Sequence, residues 1–380
     1  MSKKMLRSGI TTGACAAGAA RAAAELLFHN RRLTEATIYN YQGQPITVPI
    51  HHLEKKKESV EAVVIKDGGD DPDVTHGLPV VVEARPREEG IILKGGRGVG
   101  RVTRPGLAVA VGEAAINPVP RRMIHDAVVT TLPPGRGVEL TVSIPGGEEV
   151  SKRTLNPRLG VEGGLSILGT TGIVQPMSEE AFRDSLVPLV DMARAAGYRQ
   201  IVLTPGRLGA RMAQEQYGFP ETAVVEMSNF VGFMLDTCVE KGITHVLLWG
   251  HHGKLIKVAA GIFHTHSRLA DARREILASY TAMLGGNRDL VARILEATTI
   301  ESVTGMLAEN NLLVPVYNYL ARRASQRAED FVHNRLQVGT VLLNLEGRIL
   351  GMDHRAQEIG RVLGCRALEL SASDREQGLT

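Results

Sequence analysis

Residues 245–275 read HVLLWGHHGKLIKVAAGIFHTHSRLADARRE. His245 to Trp249 have the apolar run of a buried strand, and the run breaks at Gly250. A polar cluster follows, His251, His252, Gly253 and Lys254, and then a small-residue helical segment. That segment leads to Phe263-His264-Thr265-His266, with Asp271 five residues further on. Five of the twelve histidines fall between 245 and 266. Open α/β sheets bind ligands outside the carboxyl ends of their strands, so this stretch is expected to be the centre of an active site.

The segments upstream share its rhythm. From Ser178 the pattern predicts helix 178–196, strand 200–204, a turn Pro205-Gly206-Arg207-Leu208-Gly209 and a helix to Tyr217. Strand 222–225 then ends at Glu226, and helix 228–241 precedes strand 243–249. Strands alternating with helices argue for a parallel sheet. Glu226 lies about twenty residues past the glycine turn, where dinucleotide-type folds place an acid that accepts hydrogen bonds from ribose hydroxyls. The turn lacks the full Gly-x-Gly-x-x-Gly. Downstream, helices are expected at 266–284, 287–296, 299–308 and 311–327. A β-β-α piece (338–345, 348–352, 355–363) and a polar tail 371–380 follow.

The N-terminal part reads as α+β. Thr11-Thr12-Gly13 precedes Ala14–Phe28, a strong helix former, and Thr11 or Thr12 suits its N-cap. The free N–H groups of that helix start would also suit a carboxylate or phosphate, including through Thr12. Strand-like runs occupy 36–41, 45–50, 59–66 and 78–84. Between the last two lies Asp67-Gly-Gly-Asp70-Asp71-Pro72-Asp73-Val-Thr75-His76-Gly77. It lacks the EF-hand spacing, and it reads as a solvated turn, a cation site, or a carboxylate facing a cationic ligand. Gly95 to Gly106 holds Arg97, Arg101 and Arg104 in a glycine loop that does not match the P-loop. Such arginines clamp carboxylates with two prongs. Arg121 and Arg122 enter a helix running to about Thr131 after Pro120. A strand at 138–144 completes the unit, and Arg158 opens a small-residue stretch through Gly169-Thr170-Thr171-Gly172 on which a ligand can lie against backbone. The expected domains are 1–150, an α+β domain with an N-terminal helix and mixed sheet, and 151–370, an α/β domain with a parallel sheet and a helical C-terminal part.

Composition narrows the function. With 380 residues, 43% hydrophobic and 22% charged, the chain is globular and long enough for two cores. A net charge of +3 without a basic, aromatic-interleaved stripe argues against nucleic acid but suits a polyanionic small molecule. Cys15, Cys238 and Cys365 are odd in number and far apart, which argues for a reducing cytoplasm. Arg21 and Glu25 interrupt the only stretch that resembles a signal peptide, and no apolar run reaches membrane-spanning length.

The histidine cluster admits three readings. His251, His252, His264, His266 and Asp271 could ligate a metal, although no His-Glu-x-x-His set occurs. Alternatively His251, His252 and Lys254 form a wall facing an anionic substrate. The third reading makes several of them plain structural residues.

Six segments together resemble the cobalt-precorrin-5B C(1)-methyltransferase family of anaerobic cobalamin biosynthesis. They are LRSGITTGACAAGAA, KDGGDDPDVTHG, GGRGVGRVTRPGLAVAVGEAAINPVPRRMI, TLNPRLGVEGGLSILGTTGIVQPMSEEA, SNFVGFMLD and GHHGKLIKVAAGIFHTHSRLADARRE, in order over the first three-quarters of the chain. His252 departs from the pattern, since a less bulky apolar residue is more usual there. The resemblance implies transfer of a methyl group from S-adenosylmethionine to C-1 of a cobalt-bearing corrinoid, and a fold distinct from the other corrin-pathway methyltransferases. Cobalt would travel with the substrate, with no protein metal site. A homo-oligomer and transient contact with neighbouring pathway enzymes are compatible with that role. The competing classes are a metal- or phosphate-handling enzyme and a non-catalytic corrinoid carrier.

Chemistry assigns the expected roles. Carboxylates suit a sulfonium donor and cations suit the substrate's acetate and propionate groups. Asp70, Asp71, His251 and Lys254 are the expected catalytic residues. Gly169, Thr170, Thr171, Gly172, Gly206 and Glu226 are expected to hold the methyl donor. Thr12, Arg97, Arg101, Arg104, Arg121, Arg158, His264 and His266 are expected to hold the corrinoid. All are expected to line one cleft.

Overall fold

A computed structural model describes residues 6–365 and 368, and the expected polar tail 371–380 lies outside the described residues. The chain divides into two units, Met1–Glu180 and Ala181–Thr380.

The first unit opens with β1 (Gly9–Ile10) and α1 (Thr12–His29), then β2 (Glu35–Tyr39), β3 (Pro45–Pro49), β4 (His52–Lys55), β5 (Val60–Ile65) and β6 (Pro79–Arg87). It continues with β7 (Ile91–Gly95), β8 (Gly98–Val99), β9 (Arg101–Val102), α2 (Pro118–Val129), β10 (Gly137–Ser143) and α3 (Gly147–Ser151). The short strands β11 (Val161–Glu162), β12 (Gly164–Leu165) and β13 (Ile173–Val174) follow. The main sheet has the order β4-β5-β6-β10-β7, antiparallel except where β10 meets β7. Val60, Ala62 and Val64 alternate with more exposed neighbours, and so do Val80, Val82 and Ala84. This is the period of two expected of a sheet with one buried face. The alanines of α1 are buried from Ala14 to Ala24, so that helix lies close to the sheet and to the β2–β3 hairpin. A side chain at Gly18 would collide with Val48 at 2.5 Å.

Two strands escape the sequence pattern. β4 is polar, with Leu53 its one buried residue, and β7 runs directly into the glycine loop. The boundary also differs from the expected one, because residues 151–180 fold with the first unit. β11 pairs with β9, β12 with β8 and β13 with β1.

The expected helix 178–196 is two helices, α4 (Glu179–Asp184) and α5 (Val187–Ala195). The break falls at buried Leu186, with Pro188 in the first turn of α5, a position where proline's missing N–H costs nothing. β14 (Gln200–Thr204) leads to α6 (Arg207–Arg211), which continues as a π-helical turn over Met212–Gln216. β15 (Val224–Glu226), α7 (Val231–Glu240), β16 (His245–His251) and α8 (His252–Ala259) follow. The helical region comprises α9 (Arg273–Met283), α10 (Arg288–Glu296), α11 (Ile300–Glu309) and α12 (Leu313–Phe331). β17 (Gln337–Leu343), β18 (Ile349–Met352) and α13 (His354–Val362) end the unit. Its sheet runs β15-β14-β16-β17-β18, with the first four strands parallel and β18 antiparallel at the edge. Val246 to Trp249 are all buried, as a central strand covered on both faces requires. Helix α9 starts seven residues later than expected from 266, because residues 266–272 form capped turns. Among the described residues, no helix is long and apolar enough to cross a membrane.

Candidate functional site

In the second unit β15 lies on one side of β14 and β16 on the other, so the strand order reverses between β14 and β16. Ligands of open α/β sheets bind at such a point, outside the carboxyl ends of the strands. The register places Thr204 beside Glu226, and a side chain at Gly250 would meet Pro205 at 2.7 Å. Gly206 therefore stands at this edge, and a side chain there would meet open space. Ser228, just past β15, has a left-handed φ of 51°, a strained conformation of the kind that gathers at functional sites. Asn229 accepts a hydrogen bond on its carbonyl from the N–H of Thr265 (3.0 Å), and Phe230 bridges His264 in antiparallel fashion. Gly206, Glu226, His251, Lys254 and His264 thus arrive at one sheet edge from four separate segments.

The histidines have distinct duties there. His251 caps α8, its Nδ1 accepting from the Gly253 N–H at 3.2 Å. Its Nε2 lies 2.6 Å from Glu301 Oε1, and His252 Nε2 lies 2.9 Å from the same oxygen. His252 is wholly buried, and burial pushes it down to about 4 against the pull of Glu301. The ring of His264 packs edge-on against Phe230, with centroids 5.1 Å apart. His266 Nδ1 accepts from the Arg268 N–H at 3.2 Å and so closes a turn. Asp271 is held by Arg273 through two hydrogen bonds of 2.7 and 2.8 Å.

The two lysines of this stretch differ. Lys254 is half-buried, burial lowers its pKa, and no hydrogen bond or ion pair holds its amine among the described residues. Such an ammonium is ready for an anion. Lys257 is buried, and its amine donates to the carbonyls of Ala270 (2.7 Å) and Thr265 (3.1 Å). It pins the loop that carries His264 and His266.

In the first unit a second cluster forms around the start of α1. Thr11 caps the helix by accepting from the Ala14 N–H, and Gly13 donates its N–H to the Leu168 carbonyl. The Thr12 hydroxyl accepts from the Leu168 N–H at 2.9 Å. The helix start expected to be open to an anion is therefore closed by residues 166–172, with Thr12 tying that segment down. Gly169 sits against Thr11 with φ 120°, and Gly172 against Ile46 with φ 77°; both are positions for glycine alone. Thr170 and Thr171 are exposed or nearly so, and the Thr171 hydroxyl bonds within its own turn. Asp70 accepts from the Arg7 N–H at 2.7 Å, and Asp71 from the Met177 N–H at 2.9 Å. Asp67 forms a two-pronged pair with Arg7, which holds its carboxyl down to about 2.

The arginines of this unit divide in the same manner. Arg97 pairs with Glu148 at 3.2 Å and Arg101 donates to the Gly112 carbonyl. Arg104 lies over Gly160 and Arg121 stands in the first turns of α2, and the guanidinium of each is without a hydrogen bond or ion pair among the described residues. Arg158 is half-buried, three residues before β11. Glu301 and Tyr317 escaped sequence reasoning. The one available signal was an acid in the first turn of a capped helix, Thr299 accepting from Ser302.

A family model described as CbiD matches residues 1–176, and one described as CbiD, C-terminal domain, matches residues 264–354. A cobalt-precorrin-5B C(1)-methyltransferase of Moorella thermoacetica is 57% identical over 354 residues, covering 93% of this chain and 97% of its own. The one from Desulfitobacterium hafniense is 48% identical over 93% of this chain and 92% of its own. The one from Methanocaldococcus jannaschii is 42% identical over 92% of this chain and 97% of its own. A crystal structure of a cobalamin biosynthesis protein (cbiD) from Archaeoglobus fulgidus is 30% identical, covers 71% of this chain and 84% of its own, and has a TM-score of 0.37.

Proposed function

The chain belongs to the CbiD family, and from that premise we infer that it is a cobalt-precorrin-5B C(1)-methyltransferase. The observation that carries this reading is the 57% identity to a protein of that name along nearly the whole of both chains.

We propose S-adenosyl-L-methionine as the methyl donor. The residues at the reversal point suit it: Gly206 opens onto free space, and Glu226 stands on the neighbouring strand where ribose hydroxyls are accepted. When bound, the donor supplies an electrophilic methyl on a positively charged sulfur. The protein's own part is placement, because in-line displacement at carbon needs the reacting atoms held roughly 3–3.5 Å apart. The Lys254 amine has no hydrogen bond or ion pair among the described residues, so it is the cation proposed to take a corrinoid carboxylate. Asp70 and Asp71 each already hold a backbone N–H, which makes them fixed negative charges in this reading. None of the three cysteines is in a disulfide and all are buried, which supports a cytoplasmic protein.

Mass spectrometry of cobalt-precorrin-5B incubated with the protein and donor tests the whole reading. One added methyl is expected. Unchanged substrate, with donor intact, would overturn it.

A further inference from the structure

Among the described residues, six that are not glycine take a left-handed φ. Four of them follow helices, where such a turn is ordinary: Asn30 caps α1, Asn311 lies just past α11, and His333 and Asn334 lie just past α12. Met177 gives its N–H to Asp71 in the turn before α4. Ser228 follows a strand instead, two residues past the end of β15.

The backbone there is held on both sides. The Met227 N–H donates to the Thr204 carbonyl at 2.8 Å, and the Phe230 N–H donates to the Met227 carbonyl at 3.0 Å, closing a turn over Ser228. The Asn229 carbonyl accepts from the N–H of buried Thr265, whose hydroxyl donates to the Asn229 side-chain oxygen at 3.4 Å. Glycine would take this φ at no steric cost, as Gly172 does at 77°. Serine in its place keeps a hydroxyl at the carboxyl edge of the sheet.

That hydroxyl is not spent on the fold. Among the described residues, the Ser228 hydroxyl, the Ser228 N–H and the Asn229 N–H make no hydrogen bond. One turn therefore holds three donors, of which the hydroxyl also accepts. An apolar ring stands beside it: Phe182 is 50% exposed and meets buried Phe230 edge-on, with centroids 5.9 Å apart.

Charge and shape select the ligand group. Glu226 lies two residues upstream at the end of β15, so a carboxylate seated at Ser228 would be repelled. A neutral purine base meets no such penalty. Its ring nitrogens accept from N–H groups, its exocyclic amine donates to a hydroxyl, and its flat face suits an aromatic neighbour. In a nucleoside the base leaves the ribose carbon next to the one that bears the 2′-hydroxyl. Two residues of extended chain span at most roughly 7 Å, enough to pass from ribose hydroxyls at Glu226 to the base.

We propose that Ser228 is a specificity-determining residue: its hydroxyl, with the N–H groups of residues 228 and 229, recognises the adenine of the methyl donor. The inference rests on the reading that S-adenosylmethionine is that donor.

The test is calorimetric binding of S-adenosylhomocysteine and S-inosylhomocysteine, which replaces the exocyclic amine by a carbonyl, to the full chain. The wild type should prefer the adenosyl compound at least about tenfold, as sites built on hydrogen bonds do. Ser228→Gly removes the hydroxyl and relieves the backbone, so it should melt no lower than the wild type while its preference narrows to within about threefold. Ser228→Ala removes the hydroxyl and keeps the strained φ, and it should narrow the preference equally. An unchanged preference in both variants would overturn the inference, and so would a loss confined to Ser228→Gly, which would point to loop rigidity. Equal weakening of both compounds would place the amino-acid end of the donor at this turn and overturn the assignment to adenine. A wild type that binds neither compound would overturn the donor reading and this inference with it.

Discussion

His252 Nδ1 lies 2.8 Å from the Tyr317 hydroxyl, and both side chains are shut off from solvent. Among the described residues neither group has another partner for that atom. Tyr317→Phe therefore strips an acceptor of its donor in a dry place, which costs about 1–3 kcal/mol. Urea unfolding of the full chain reads this directly, and an unchanged midpoint would show the pair to be energetically idle.

The same histidine makes a pH prediction that another group opposes. Burial lowers His252 from 6.5 to about 4, so between those values the unfolded chain holds a proton that the folded chain lacks. Stability through His252 is present above pH 6.5 and is lost, by up to ~3 kcal/mol, as pH falls toward 4. Burial raises Asp353 from 3.8 to about 6, so there the folded chain holds the extra proton. Its contribution is full below pH 3.8 and is lost as pH rises through about 6. The slopes offset each other between pH 4 and 6. Asp353→Asn, which keeps an oxygen for the Ala356 N–H, should expose the acid loss; His252→Leu should expose the opposite trend. Identical pH profiles for both variants and the wild type would sink the account.

Lys257 should matter through the loop it pins. Lys257→Met preserves most of the buried chain but leaves the carbonyls of Thr265 and Ala270 without their donor. A cost of about 1–3 kcal/mol is expected. Hydrogen exchange should quicken over 262–272 and stay unchanged in β14. Uniform quickening would mean a global effect instead.

Gly69 and Arg7 offer a contrast in the first unit. A Cβ at Gly69 would stand 2.2 Å from the Arg7 carbonyl with φ at 66°, so Gly69→Ala forces residues 7–9 off the aspartate loop. Strain of this kind costs about 1–3 kcal/mol. The Arg7–Asp67 pair is about half exposed, so Arg7→Ala should cost less than Gly69→Ala. Thermal unfolding of both variants ranks them, and the reverse order would contradict the geometry.

Lys254 should act on binding rather than on the chemical step. Lys254→Gln is expected to raise KM for the corrinoid about tenfold while kcat changes little, the pattern of lost uniform binding. A fall in kcat at constant KM would place the lysine in the transition state instead.

What could be read from the chain was what is local. The alanine run of α1 and the apolar His245–Trp249 strand carry their own periodicity, and both stand where expected. The alternation from Ser178 onward is a parallel sheet, as its spacing implies. β4 was invisible because a strand at the sheet edge needs few apolar residues. The split between α4 and α5 turns on Leu186 being buried, a tertiary preference that no window of sequence displays. His251 stood out through its motif. Glu301, fifty residues on, has none, and only the packing of α11 on α8 joins the two. The arginines showed their type but not their state: Arg97 already has Glu148, and Arg104 has no such partner among the described residues.

The π turn at Met212–Gln216 has one more residue than an α-helical path over the same rise would use. Each residue of an α-helix turns the chain by about 100°. Excising a single residue there would give a straighter helix and swing Tyr217 by that angle, away from the Trp249 ring 4.6 Å from it and from the Gly347 carbonyl it bonds. A shortened chain would thus gain regular helix and lose the aromatic buttress behind β16, so in this segment chain length matters more than side-chain identity.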